Sequence, residues 1–395
     1  MCIFVMAGSS RRQFVKTVSG TAIVGSTGLS GCLNSSGGSG GGQTTSSDGT
    51  STVGNKMIGL SSNLTGGAFL TALRAGAKFY TKQLEWEYTF FSNKNSEQQE
   101  IENIRQMVSQ GYDGMLVAPW NASSIAESLE NAANEGVEIF TIDIDAKTDA
   151  VKMYVACSQE RLGRKGADLL MKRCRNQKPS QETYEVLGLT AVPGQALSDS
   201  RYEPFKKKIS ESSDFKIVDT LAGEWRRAAA QQAVSDWLSG NKAPDALFSI
   251  MFAQGMGAQD AFEDAGERYK TGNDNHIAHV DLGAGSSILK AISNGYVDAS
   301  LTQPPQYYAP IALEYMKRSF QSDENVIPKK GTQVGVDDLS IQTGTHDGNK
   351  LWDKDIWAPA NVKYRDEYSH LNFQTAITKV TKDTVDNPAL YGNVW

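Results

Sequence analysis

The stretch Ala118–Asp145, APWNASSIAESLENAANEGVEIFTIDID, sets the pattern that the rest of the chain repeats. A strand, Gly114-Met-Leu-Val-Ala118, runs into it and turns at Pro119-Trp120-Asn121. Ile125, Leu129, Ala132 and Ala133 then recur at three- and four-residue steps, which places an apolar stripe along one face of a helix. Asn121 or Ser123 is expected to cap its start, because a short side-chain oxygen accepts from the free N–H groups there. Gly136 follows the last periodic residue, where a left-handed backbone suits glycine. Val137-Glu-Ile-Phe-Thr-Ile142 reads as a second strand ending in Asp143. A strand, a crossover helix and a second strand form a right-handed parallel unit. Ligands of such sheets sit beyond the carboxyl ends of the strands, so Asp143 is the first candidate binding residue.

The same alternation extends outward in both directions. Before it come a strand at 57–60, a helix at 68–84, a strand at 87–91 and a helix at 96–110. After it come a strand at 152–156 and a second series, with helices near 159–176, 199–211, 226–239 and 256–265. The strands of that series fall near 184–190, 216–221, 246–251 and 277–282. A helix at 286–294, a strand at 297–302 and a helix at 306–320 continue it. Strands alternating with helices throughout predict an α/β fold with parallel sheets. The 395 residues leave room for two core-bearing lobes, at roughly 150 residues per domain. A formal net charge of −6 gives no electrostatic footprint for nucleic acid. No apolar run is long enough for a membrane span.

The N-terminus reads as an address rather than as fold. Ser10-Arg11-Arg12-Gln13-Phe14-Val15-Lys16 resembles a twin-arginine export signal, and Leu29-Ser30-Gly31-Cys32 resembles a lipobox, in which Cys32 would be lipidated. Met1 and Met6 both stand as candidate starts. The signal would span 1–31, and 32–55 is a flexible Gly/Ser/Thr tether. Gly37-Gly38-Ser39-Gly40-Gly41 formally matches a hydrolase nucleophile pattern. It is rejected because no strand-to-helix elbow surrounds it.

From Lys56 to about Gln342 the ordered pieces GLSSNLTGGAFLTALRAGA, GYDGMLVAP, GVEIFTIDID, SRYEPF, FEDAG, HVDLG and ASLTQPP resemble the type 1 periplasmic-binding-protein family, in its ribose/galactose-binding branch. ITKVTKDTVDN resembles that family's final strand and tail. The resemblance implies two Rossmann-like lobes joined by a three-crossing hinge, with ligand in the cleft. It places the crossings near Ala156-Cys157, Gln303-Pro304 and Val336 to Ile341. One lobe would be 56–156 plus 304–335 and the other 157–303. The remainder, 336–395, would hold the third crossing, an inserted surface segment at 343–374 and a C-terminal strand and tail.

A neutral sugar offers vicinal hydroxyls, which carboxylates, amides and a guanidinium satisfy directionally, and a C–H face that an aromatic ring covers. The positions matched by the resemblance supply that set: Phe69, Asp143, Arg201, Trp225, Asp281 and Gln303, with Trp120 at the end of a cleft-facing strand. Plainer readings stand beside these. Phe69 also fits its helix's apolar face, a strand-end aspartate also serves a turn, and Trp225 also reads as core. Three positions depart from the family pattern. Ile144 replaces an Arg, Met251-Phe252 replace an Asn-Asp pair, and Gly66-Gly67 replace polar loop residues. Each removes hydrogen-bonding capacity, which points away from ribose toward a less polar, larger or differently substituted ligand. Met251 therefore joins the ligand-binding set, and Asn63 and Asp145 are candidates to restore polarity.

Other signals are structural. In Gly283-Ala284-Gly285 the third glycine of a dinucleotide loop is missing, since Ile288 stands there. His276 and His279 read as three apart on a strand, and so point to opposite faces and cannot clamp one metal. Cys174 shares a stripe with Leu162, Gly166 and Leu170 and reads as buried, with pairing to Cys157 left open. No catalytic set, metal or cofactor is expected. The expectation is a monomeric, exported solute receptor, anchored to the outer face of the cytoplasmic membrane through Cys32. It would deliver a sugar or related polyol to the permease subunits of an ABC importer. Capture of a nucleoside or another small polar ligand, or sugar sensing without transport, are the alternatives. A sugar-responsive DNA-binding regulator shares the fold but would need a helix-turn-helix where this chain carries a signal and tether.

Overall fold

The computed structural model describes residues 54–63, 67–322, 324–346, 348–365 and 368–395. The export signal, Cys32 and nearly all of the tether lie outside the described residues.

The first lobe is built on β1 (Met57–Ser62), β2 (Glu87–Ser92), β3 (Gly114–Val117), β4 (Glu138–Ile142) and β5 (Met153–Cys157), which are parallel and ordered β2-β1-β3-β4-β5. Helices α1 (Gly67–Gln83), α2 (Glu97–Ser109) and α3 (Ala126–Asn134) cover the sheet. The second lobe repeats the scheme. Its strands are β6 (Tyr184–Thr190), β7 (Phe215–Ala222), β8 (Ala246–Ser249), β9 (Ala278–Leu282) and β10 (Ala299–Thr302), ordered β7-β6-β8-β9-β10. Its helices are α4 (Gln159–Gln177), α5 (Ala196–Ser210), α6 (Arg227–Leu238), α7 (Phe252–Asp264) and α8 (Ser286–Ser293). The central strands β3, β8 and β10 are buried at every position, as strands covered by helices on both faces must be.

The opening unit folds as β3-α3-β4, with Leu129 and Ala132 packed against Ile104, Met107, Val117 and Ile139. Gly136 takes φ +85° just beyond the helix end, as expected. The cap differs. The helix begins at Ala126, with Ile125 at the capping position and no side-chain bond there. Asn121 Oδ1 instead accepts from Ser123 N–H at 3.0 Å, closing a local turn before the helix starts.

Among the described residues the chain changes sheets three times. The first change follows Cys157 into α4. The second follows Thr302, through Gln303-Pro304, into α9 (Pro305–Gln321), which packs against α1, β4 and β5. The third does not fall at Val336–Ile341, where the chain holds only a short 3₁₀ turn at Val336–Asp338. After β11 (Gln333–Val334) come a small hairpin, β12 (Gly344–His346) and β13 (Asn349–Trp352), and then β14 (Ala360–Arg365) and β15 (Tyr368–Thr375). Strand β15 lies parallel to β5, from Leu371 opposite Met153 to Thr375 opposite Cys157, and β14 and β11 follow antiparallel outside it. The chain crosses only at Ala376-Ile377, because β16 (Thr378–Val380) pairs antiparallel with β10 of the other sheet. The segment 343–374 is therefore not a surface insertion. Its strands β14 and β15 extend the first sheet, β12 and β13 form a separate hairpin, and Trp352 and Trp357 are among the largest fully buried side chains of the described residues.

Candidate functional site

Asp143 leaves the end of β4 with φ +66°. That left-handed backbone is uncommon outside glycine, though aspartate tolerates it better than most. The hydroxyl of Tyr154, on neighbouring β5, donates to the Asp143 carbonyl at 2.7 Å and supports the turn. The carboxyl keeps some exposed surface yet is surrounded by protein, and the loss of water pushes its pKa up to about 6 against the opposing pull of Arg201. Arg201 belongs to α5 of the other lobe, so this electrostatic contact crosses the cleft.

Arg201 is held from several sides. Its Nε donates to Gln159 Oε1 at 2.8 Å and its Nη1 to the Ile250 carbonyl at 3.1 Å, while the guanidinium carbon lies 5.8 Å from the Trp225 ring centroid. Trp225 in turn donates from its indole N–H to Gln195 Oε1 at 2.6 Å. Trp225 has φ +58°, an outlier for so bulky a residue and the kind of local strain that collects at functional sites. A glycine sets the approach of α5. A Cβ at Gly163 of α4 would stand 2.1 Å from the Arg201 carbonyl oxygen, so only glycine lets the helices meet closely enough for Gln159 to reach the guanidinium.

The same Gln159 reaches the crossings. Its Nε2 donates to the Cys157 carbonyl at 3.3 Å and to Gln303 Oε1 at 3.4 Å. Tyr308 Oη donates to Gln303 Oε1 at 2.8 Å and accepts from Cys157 N–H at 2.9 Å. Gln303 thus sits buried between two crossings, one bond removed from Arg201. Tyr308, Tyr154 and Gln159 were not singled out in the sequence. The one available clue was that Gln159 directly follows a crossing.

The remaining candidates fall in different places. Phe69 packs edge-to-face on Tyr391, with centroids 5.9 Å apart, and Tyr391 arrives from the C-terminal segment. Asn63 directly follows β1, and its carbonyl accepts from Arg74 Nη1 at 3.1 Å. Met251 is half-buried at the start of α7, where its sulfur accepts from Ala253 N–H at 3.2 Å. Trp120 is 49% exposed, and only its backbone N–H is tied down, at 2.8 Å from Glu100 Oε2. Expected as a direct contact, Asp281 instead presents no surface in this conformation. Ser249 donates to its Oδ2 at 2.8 Å and Ser300 to its Oδ1 at 3.2 Å, and burial raises its pKa well above the usual carboxylate range. Asp145 is also engaged elsewhere, accepting from Thr141 at 2.6 Å and lying 2.9 Å from His370 Nε2.

The other titratable groups are structural. Ser249 Oγ stands between Asp281 and His279 Nε2, the latter at 3.0 Å, and Gln259 Nε2 lies 3.1 Å from His279 Nδ1. Burial drives the imidazole pKa down to about 3, so it is neutral, and the network assigns its proton to Nε2. A nucleophile–base set needs the carboxylate on the far side of the imidazole, and here it is not. His276 precedes β9 rather than lying on it. It binds Asp298 at 2.9 Å and the Tyr269 carbonyl at 2.8 Å. Burial alone would raise the Asp298 pKa, but His276 and Arg173 outweigh it and bring the value to about 2. Cys157 and Cys174 are free thiols, both buried and pushed up to about 12 by that burial. Among the described residues no group of three or more His, Cys, Asp or Glu side chains is placed to hold a metal ion, and no helix is long and apolar enough to cross a membrane.

Two α/β lobes, three crossings, and a charged and aromatic set facing across them define a two-lobed solute receptor. Residues 58–324 match the model of the periplasmic binding protein domain, and the chain belongs to that family, in its type 1 branch. It is 22% identical over 267 residues to the ribose import binding protein of Bacillus subtilis, covering 67% of this chain and 82% of that one. It is 24% identical over 248 residues to the galactofuranose-binding protein of Escherichia coli, covering 60% and 75%. Among solved structures, an ABC transporter solute binding protein from Bacillus halodurans with bound myo-inositol superposes with a TM-score of 0.63 at 17% identity, covering 86% of this chain and 99% of that one. One from Actinobacillus succinogenes with bound D-allose gives 0.64 at 16% identity, covering 84% and 100%.

Proposed function

We propose that this protein captures a neutral sugar or related polyol between its lobes and delivers it to an ABC importer, without catalysing a reaction. The observation that carries this reading is the cross-cleft set of Asp143 and Arg201, with Trp225 stacked beside the guanidinium. One carboxylate and one guanidinium leave no large excess of charge for an ionic substrate, yet both make directional bonds to hydroxyls. Trp225 and Phe69 offer faces for C–H surface. Asn63, Trp120, Met251 and Gln303 line the approach or the hinge, and Asp281, buried and bonded by Ser249 and Ser300, supports the site from beneath. Relatives named for ribose, galactofuranose and D-allose support the substrate class.

Export by the twin-arginine signal and anchoring through a lipid on Cys32 complete the proposal, with the receptor working as a monomer at the outer face of the cytoplasmic membrane. A Cys32→Ser chain should be released to the medium. Continued membrane association would rule the anchor out.

The substrate class is tested by thermal shift and calorimetry of the purified protein against D-ribose, D-allose, D-galactose and myo-inositol, beside amino acids, nucleosides and sugar phosphates. A ligand that binds only the native state raises Tm by mass action. Stabilisation by a neutral sugar or polyol is expected. Response to an amino acid or a phosphate alone overturns the reading, and response to a nucleoside alone replaces the substrate.

A further inference from the structure

The C-terminal segment bridges the two lobes. Leu390 is buried in the second lobe's core with Leu289 and Ile292. The Ala389 carbonyl accepts from Gln306 Nε2 at 2.8 Å, which ties the segment to the start of α9. A Cβ at Gly392 would stand 2.1 Å from the Ala284 carbonyl oxygen, so glycine lets the segment lie directly on the turn between β9 and α8. These three attachments fix the residue between them, Tyr391, which is only 2% exposed.

Tyr391 touches both lobes. Its ring meets Phe69, the first aromatic of α1, edge-to-face at 86°. Its hydroxyl donates to the Gly283 carbonyl of the second lobe, which also accepts from Thr302 Oγ1 at 2.9 Å. Gly283 stands two residues beyond Asp281, and the Arg201 charge also acts on the hydroxyl, so the ring lies beside the candidate site.

We infer that Tyr391 is a specificity-determining residue of the ligand site, forming with Phe69 the wall that limits the occupant to a single sugar ring and joining that wall to the second lobe. The inference rests on the proposed sugar-binding function and adds to it a residue and a size class. Aromatic carbon supplies a flat surface for C–H groups. The hydroxyl, held on a backbone carbonyl, fixes the distance between that surface and the Asp281–Gly283 turn. Without the ring the site opens toward the C-terminal segment, and a second sugar unit gains room.

The test is calorimetry of native, Tyr391→Ala and Tyr391→Phe full-length protein against D-allose, D-galactose and myo-inositol, with maltose and lactose as two-ring probes. Native protein is expected to bind a single-ring probe and neither disaccharide. Tyr391→Ala should bind that probe at least tenfold more weakly and narrow the single-ring preference at least tenfold. Tyr391→Phe should keep the preference and lose only a few-fold in affinity. The selectivity ratio is the decisive readout, because general loosening of the fold weakens all probes alike. Native binding with an unchanged ratio in Tyr391→Ala overturns this inference alone. Tighter single-ring binding by Tyr391→Ala also overturns it and makes the ring a plug. Failure of native protein to bind any probe overturns this inference and the sugar-binding reading together.

Discussion

Asp143 combines a left-handed backbone, a desolvated carboxyl and a cationic partner on the opposite lobe. Its sign with pH is definite. The folded pKa of about 6 lies above the ordinary aspartate value of 3.8, so between those values the folded state holds a proton that the unfolded chain has released. This group's contribution to stability therefore falls as pH rises through that window. A ligand hydroxyl that donates to the carboxylate favours the charged form and draws the pKa back down. Binding near pH 6 should release a proton, visible by calorimetry in buffers of different ionisation enthalpy. Affinity should be about tenfold weaker at pH 5 than at pH 7.5, because one unit below its pKa only about a tenth of the group is charged. Asp143→Asn should flatten this profile. A native profile that is already flat would remove Asp143 from the ligand's contacts. The positions of Asp143 and Arg201 on facing lobes were legible in the sequence because a strand end and a motif mark them. The burial of Asp281 was not, since it depends on Ser249 and Ser300, which neighbouring strands bring to it across the sheet.

At the scale of elements, the alternating strands and helices could be read directly because each βαβ unit is local and its apolar period is short. Strands β11 to β15 could not, although the final strand, β16, was marked by ITKVTKDTVDN. Asn361-Val-Lys-Tyr-Arg365 alternates, but Trp352, Trp357 and Asp355 stand among polar residues that imitate a surface segment. What buries them is non-local. Trp352 stacks on Phe79 of α1 with centroids 4.3 Å apart and donates to the Gln306 carbonyl at 3.2 Å, while Trp357 packs on Phe373 and Tyr307. The third crossing was displaced for the same reason, since nothing near Val336 shows that β14 and β15 will extend the first sheet. Emptying a fully buried Trp site costs about 3–5 kcal/mol. Trp352→Ala should accordingly lower Tm by several degrees in a melting experiment. A change within a degree would return the segment to the surface.

For the whole molecule, the arrangement joins recognition to closure. Hinge closure about a ligand is a property of periplasmic binding proteins in general. The residues that would carry it here are specific to this chain. Gln159 bonds both to Arg201 and to Gln303, and Tyr308 joins Gln303 to Cys157, so the guanidinium and two crossings share one hydrogen-bonded group. A ligand held by Asp143 on one lobe and Arg201 on the other binds the closed state better than the open one, which is the only way it can shift that equilibrium. The most direct measurement is small-angle scattering of the protein with and without D-allose and myo-inositol at saturating concentration, in native and Asp143→Ala forms. Native protein should show a smaller radius of gyration with at least one of these ligands, and Asp143→Ala should show none at the same concentration. Calorimetric binding of either ligand to native protein without contraction, or equal contraction in the variant, would contradict capture by two lobes closing across Asp143 and Arg201.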